Sequence, residues 1–207
     1  MDYLLEIIDL NTLPPAQDIL SQREQAFYAT LKLPKRKNEW LGGRIALKKL
    51  ISTQTDLPAC QIEVLPQPDN GKPLLLLSGK KSALSFSITH SHGYAVAAVS
   101  PTSKYIGIDL EKVAPRIEAW KQDFFHPSEL TADGDKFLTA LWTKKEAVVK
   151  MLGTGLTLNS FDVRCVGGNV HFFGRAQEIY TALGAPFITL TTSELIPGFQ
   201  FSVADGK

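Results

Sequence analysis

Residues 84–111 read LSFSITHSHGYAVAAVSPTSKYIGIDLE, and the organisation of the whole chain follows from this stretch. Apolar and polar residues alternate through 84–89, residues 94–99 are small and β-prone, and alternation returns at 105–111. A period of two places alternate side chains on opposite faces, so three consecutive strands are predicted. His90-Ser91-His92-Gly93 forms the turn between the first two. Upstream, 15–31 is polar and helix-forming, and 35–51 spaces apolar residues among basic ones as an amphipathic helix does. Downstream, a polar loop dotted with Trp120, Phe124 and Phe125 leads to a helix over 135–152, stopped by Gly153 and Gly155. Gly167-Gly168 joins a hairpin, a short helix follows near 176–182, and strands over 187–191 and 199–203 close the chain. Asp69-Asn70-Gly71 is a turn signal, and Leu4-Leu5-Glu6-Ile7-Ile8 reads as a first strand rather than a signal peptide or membrane span. The pattern predicts an α+β fold with a pseudo-two-fold repeat of two similar halves, residues 1–102 and 103–207, each a helix packed on a small antiparallel sheet.

With 207 residues, the chain can bury a self-sufficient core. Its net charge of +1 provides no global field toward nucleic acid or membrane, so an anion site must be a local patch. Cys60 and Cys165 stand far apart with no metal-ligand spacing, as expected of core thiols in a reducing cytosol.

Four constellations could carry chemistry. In Gly107-Ile108-Asp109-Leu110-Glu111, strand geometry turns Ile106, Ile108 and Leu110 into a core and sets Asp109 beside Glu111 on the other face, next to the open space at Gly107. Paired carboxylates suit a hard cation such as Mg²⁺, although a strand end with two solvated acids has the same pattern. In the helix over 135–152, Thr139, Thr143, Glu146 and Lys150 share a polar stripe, opposite Leu138, Leu141, Trp142, Val149 and Leu152. Glu146 and Lys150 could equally be an i,i+4 surface ion pair worth about 0.3–0.5 kcal/mol. Lys145 falls in the apolar stripe, where snorkelling is its only explanation. The hydroxyl-rich tip around Thr89 and His90 offers phosphate donors but also reads as a plain polar turn. Lys35-Arg36-Lys37, Arg44, Lys48, Lys49 and Lys72 form a basic set whose default is a solvated helix face.

Taken in order, Gly71-Lys72-Pro73, Ser87-Ile88-Thr89-His90-Ser91, Gly107-Ile108-Asp109-Leu110-Glu111 and Trp142-Thr143-Lys144-Lys145-Glu146-Ala147-Val148-Val149-Lys150-Met151-Leu152-Gly153-Thr154-Gly155-Leu156 resemble the phosphopantetheinyl transferase superfamily, in its larger, monomeric, surfactin-synthetase-activating class. The resemblance implies an Mg²⁺-dependent enzyme of the holo-[acyl-carrier-protein] synthase type. Such an enzyme moves phosphopantetheine from coenzyme A to a serine of an apo acyl or peptidyl carrier protein and releases 3′,5′-ADP. It also implies coenzyme A bound in a cleft between the two halves.

Asp109, Glu111 and Glu146 are then the metal ligands, with Glu146 and Lys150 catalytic. Arg36, Arg44, Lys72, Thr89 and His90 bind the cofactor, with His90 at its 3′-phosphate. The expected protein is a cytoplasmic monomer with coenzyme A and a carrier as partners, and neither nucleic acid nor membrane. Trp120, Phe124, Phe125 and Leu130 either receive the carrier or pack their loop onto the core. The alternative in function is a catalytically silent homologue that binds coenzyme A or carrier proteins. An unrelated Mg²⁺-dependent phosphohydrolase would gather more acids and histidines than this sequence does.

Overall fold

The computed structural model describes residues 3–68 and 71–207, the side chain of Leu156 excepted. Asp69 and Asn70, the first two positions of the expected turn, lie outside the described residues. The chain divides into two compact units, Met1–Pro101 and Thr102–Lys207. The first contains β1 (Leu4–Asp9), α1 (Gln22–Thr30), α2 (Pro34–Gln54), β2 (Ile62–Pro66), β3 (Pro73–Leu77), β4 (Lys80–Lys81), β5 (Ser85–Ser91) and β6 (Tyr94–Ser100). The second contains β7 (Tyr105–Lys112), α3 (Glu118–Phe124), α4 (Asp135–Leu152), β8 (Val163–Val166), β9 (Asn169–Phe172), α5 (Gly174–Ala182), β10 (Ile188–Ser193) and β11 (Phe199–Gly206). Each unit sets one long helix against a three-stranded antiparallel sheet, ordered β1-β6-β5 in the first and β10-β11-β7 in the second. The fold is therefore α+β. Among the described residues no helix is long and apolar enough to cross a membrane.

In the first unit, α2 departs from the amphipathic expectation: Trp40 through Lys48 are all buried. A helix takes on that character when it is covered on several sides. One side lies on Ala97, Val99 and Ile88, and the other receives Leu20, Phe27, Ile62 and Val64. Gly43 permits the close approach, because a Cβ there would lie 2.6 Å from Ile88 Cγ2. The covering layer includes a second sheet, β2-β3-β4, absent from the sequence reading. Leu74-Leu75-Leu76-Leu77 is extended because it pairs residue by residue with Ile62–Leu65, not because leucine favours strands.

The second unit places α4 across β7 and β11. The expected open space beside Gly107 does not exist. A Cβ at that position would collide with the Ala147 carbonyl oxygen and the Met151 amide of α4. Nor is the polar stripe of α4 solvated at its start: Thr139 and Thr143 are fully buried, and Thr143 Oγ1 lies 2.8 Å from Ser202 Oγ on β11. Gly153 ends the helix in the left-handed region (φ 74°), its amide donating to the Val149 carbonyl. Gly167 and Gly168, both at positive φ, make the two-residue turn between β8 and β9. The segment read as a loop before α4 contains α3, and its rings interlock with the helix. Phe124 and Phe125 meet Trp142 edge-on at centroid distances of 5.0 and 6.4 Å.

Candidate functional site

The acidic cluster belongs to the second unit. Gly107 brings α4 so close to β7 that side chains one or two turns apart on the helix can reach the strand's carboxylates. Lys150 Nζ lies 2.7 Å from Asp109 Oδ1, an ion pair with Asp109 nearly buried. Glu146, one turn earlier and half-buried, is pushed up to about 7, by burial first and then by the charge of Asp109, with Glu111 adding to it and Lys150 opposing. A carboxyl with that pKa exchanges protons near neutral pH, as a general base must. The i,i+4 surface pair expected as the bland alternative is not what forms. Lys150 turns instead to the strand.

The expected metal triad is not drawn together: among the described residues no three His, Cys, Asp or Glu side chains form a group that could hold a metal ion. The donor chemistry nevertheless fits a hard divalent cation. The candidate ligands are all carboxylate oxygens, and the negative charge of Glu146 is opposed by burial, Asp109 and Glu111.

Lys145 does not snorkel. It is 2% exposed and pairs at 2.8 Å with Glu129, which is 0% exposed. Glu129 also accepts from the amides of Cys165 and His126, tying β8 and the turn before α4 to the helix. Burial pushes the Lys145 ammonium down, against the pull of Glu129. The sequence reading missed this pair because the partners stand 16 residues apart and only the fold unites them. Cys165 beside it is a core thiol pushed up to about 12 by burial, whereas Cys60 is exposed, contrary to expectation. Of the four loop residues considered for carrier docking, Phe125 is buried and Trp120, Phe124 and Leu130 are half-buried in one cluster with Leu138, Leu141 and Trp142.

The basic cluster belongs to the first unit. Arg36 Nη1 on α2 donates to His90 Nε2 on β5 at 3.4 Å. Arginine only donates, so Nε2 is the acceptor and Nδ1 carries the proton. That Nδ1 lies 3.7 Å from Glu39 Oε1. Arg44 is buried, stacks 3.9 Å over the Trp40 ring and donates from Nε to the Val64 carbonyl. Burial and Arg36 bring its guanidinium down to about 9, with Glu24 opposing. A buried cation answered by a ring and a carbonyl favours an incoming anion. Thr89, one residue from His90 on β5, is buried on the opposite face of the strand. Lys72 is exposed just before β3, and Lys48, assigned to the solvated basic face, is buried against Glu24 at 2.5 Å.

Comparison with known proteins follows from this geometry. The family model of the 4′-phosphopantetheinyl transferase superfamily matches residues 105–183, the stretch that holds Asp109, Glu146 and Lys150. A holo-[acyl-carrier-protein] synthase of Geobacillus is 38% identical over 87 residues, covering 39% of this chain and 71% of that protein. The chain belongs to the 4′-phosphopantetheinyl transferase superfamily. Longer matches are to larger superfamily members. The 4′-phosphopantetheinyl transferase HetI of Nostoc is 30% identical over 146 residues, 66% of this chain and 61% of that one. The transferase Sfp of Bacillus subtilis is 29% identical over 170 residues, 78% of this chain and 70% of its own. These longer matches align the chain with the larger, surfactin-activating class. The chain spans 61–63% of the length of the first curated relatives it matches.

Proposed function

We propose that this phosphopantetheinyl transferase superfamily member moves the 4′-phosphopantetheine arm of coenzyme A onto a serine of an apo acyl or peptidyl carrier protein and releases 3′,5′-ADP. The observation that carries the reading is the pairing of α4 with β7. It sets a carboxyl poised near pH 7 and a lysine against Asp109, inside the segment that matches the family.

In this reading Glu146 accepts the proton of the attacking carrier serine, directly or through water. Lys150 leaves Asp109 to meet the charge that gathers on the departing 3′,5′-ADP. Asp109, Glu111 and Glu146 would hold Mg²⁺, which when bound supplies charge neutralisation at the pyrophosphate. Arg36, Arg44, Lys72 and His90 take the cofactor's phosphates. Thr89, adjacent to His90 on β5, belongs to the same phosphate site. The protein acts in the cytoplasm as a monomer, as a holo-[acyl-carrier-protein] synthase-type enzyme.

The test is incubation of the protein with coenzyme A, Mg²⁺ and a panel of apo carriers, followed by intact mass measurement. A gain of one phosphopantetheine on a carrier serine is the expected result. Saturable coenzyme A binding with no gain on any carrier would replace the reading with that of a silent binding protein.

A further inference from the structure

The second unit has a cavity that none of this chemistry uses. It measures about 210 Å³ and has Phe137, Ala140, Leu141 and Lys144 of α4 along one side. Steps of three and four residues put these on one stripe of the helix. Glu146, two residues beyond Lys144, lies about 200° around the helix from it. Leu190 of β10, Cys165 of β8 and the Gly167-Gly168 turn also line the cavity. The Cys165 thiol, pushed up to about 12 by burial, stays protonated and belongs to the apolar wall.

The polar groups at this cavity leave one charge unanswered. Of the four lysines on α4, Lys136 is paired with Glu194, Lys145 with Glu129 and Lys150 with Asp109. Lys144, half-buried, is the one with no acid partner among the described residues. Its charge acts on the Cys165 thiol, and both line the cavity. Glu129 lines the cavity too, but its carboxylate is already answered. Lys145 Nζ neutralises it at 2.8 Å, and the amides of Cys165 and His126 donate to it. The β8–β9 ladder ends at Val166 and Asn169, so the amides of Gly167 and Gly168 are left out of it as further donors. Thr131, also in the lining, can donate or accept. The surplus is one cation, partly withdrawn from water beside apolar walls, where a charge-assisted hydrogen bond gains strength.

Size narrows the ligand. An apolar cavity of about 150 Å³ holds one benzene, so this one admits a single ring or a short branched chain together with one carboxylate.

We infer that the cavity behind α4 binds a compact monocarboxylic acid, its apolar body against Phe137, Leu141 and Leu190 and its carboxylate held by Lys144 and the Gly167-Gly168 turn. The site contains neither Asp109, Glu146 nor Lys150, and it does not depend on the proposed transfer reaction.

The probe is benzoate, titrated into the full chain and followed by amide NMR. Benzamide, of the same shape without the charge, and benzylamine, of opposite charge, are the controls. Benzoate is expected to saturate with a Kd of about 1 mM or tighter, shifting the amides of Cys165, Gly167 and Gly168. Both controls should bind at least about tenfold more weakly. Lys144→Met keeps the aliphatic stem and removes the charge, so it should weaken benzoate about tenfold or more and leave benzamide as it was. Lys144→Arg should retain benzoate binding, and Ala140→Leu, which fills the cavity, should exclude benzoate. The inference is overturned if benzamide binds as well as benzoate, or if Lys144→Met leaves benzoate affinity unchanged. It is also overturned by shifts that centre on Arg36, Arg44 and His90 instead, or by no saturation below about 10 mM.

Discussion

The two units share a buried latch and differ in what their helices present. In the first, Glu24 takes Lys48 at 2.5 Å, accepts the Val64 amide and closes a capping box onto the Ser21 amide. In the second, Glu129 takes Lys145 at 2.8 Å, accepts the Cys165 amide and closes the equivalent box onto the His126 amide. One carboxylate thus pins a helix lysine, a strand and a turn in each unit. Lys48 is the better satisfied of the two lysines, with the carbonyls of Ile19 and Ala59 completing its three donors. Lys145 has Glu129 and the Phe125 ring. Around this common frame the charges are opposite. Arg36 meets His90 near Arg44 in the first unit, and the charges of Asp109 and Glu111 act on Glu146 in the second. One scaffold used twice thus carries a cationic cluster in one unit and carboxylates in the other, and the difference teaches that the same buried latch can frame opposite charges.

The sharpest test of that division is on the anionic side. Asp109→Ala and Glu146→Ala should each reduce carrier modification by about 10²-fold or more while leaving the unfolding midpoint close to wild type. Near-normal turnover in either would break the assignment. Gly107→Ala should also lose about 10²-fold, because α4 must move outward and take Glu146 and Lys150 with it. Retained helical circular dichroism with lost activity would mark Gly107 as a positioning residue.

The latch should behave in the converse way. Glu24→Ala or Glu129→Ala strands a buried ammonium and should cost about 3–5 kcal/mol in urea unfolding. Replacing both members of a pair by apolar residues of similar volume should recover most of it. If Glu24→Ala costs no more than an exposed pair, about 0–1 kcal/mol, the latch is not what holds α2 in place.

On the cationic side, His90→Ala should weaken coenzyme A by about 1.5–3 kcal/mol and spare 3′-dephospho-coenzyme A, as read by calorimetry. Equal losses for both ligands would remove His90 from the 3′-phosphate.

A further effect is a pH slope. The Glu146 pKa is raised on folding from its ordinary 4.5 to about 7. Its protonated form therefore adds stability that is fully present below about 4.5 and lost as pH rises through about 7. In metal-free protein, thermal midpoints measured across that window should fall, and Glu146→Gln should flatten the fall. A slope unchanged by Glu146→Gln would assign it to another group.

Sequence alone determined the elements whose signal is local. The alternation in 84–111 matches β5, β6 and β7, Gly153 stops α4, and Gly167-Gly168 makes the turn, because each depends on neighbouring residues and on backbone rules that act within a few positions. The order of the Asp109 and Glu146 motifs was likewise sufficient to identify the superfamily. Tertiary structure alone decided the rest. Leu74–Leu77 became a strand by pairing with β2, and Lys48 and Lys145 became buried latches rather than surface or snorkelling cations. Gly107 turned out to be filled by α4, and Lys150 chose Asp109 over its helix neighbour Glu146. The physical reason is common to all four. A lysine's burial, a strand's partner and the space beside a glycine are set by groups distant in sequence, and no local propensity encodes which distant group will arrive.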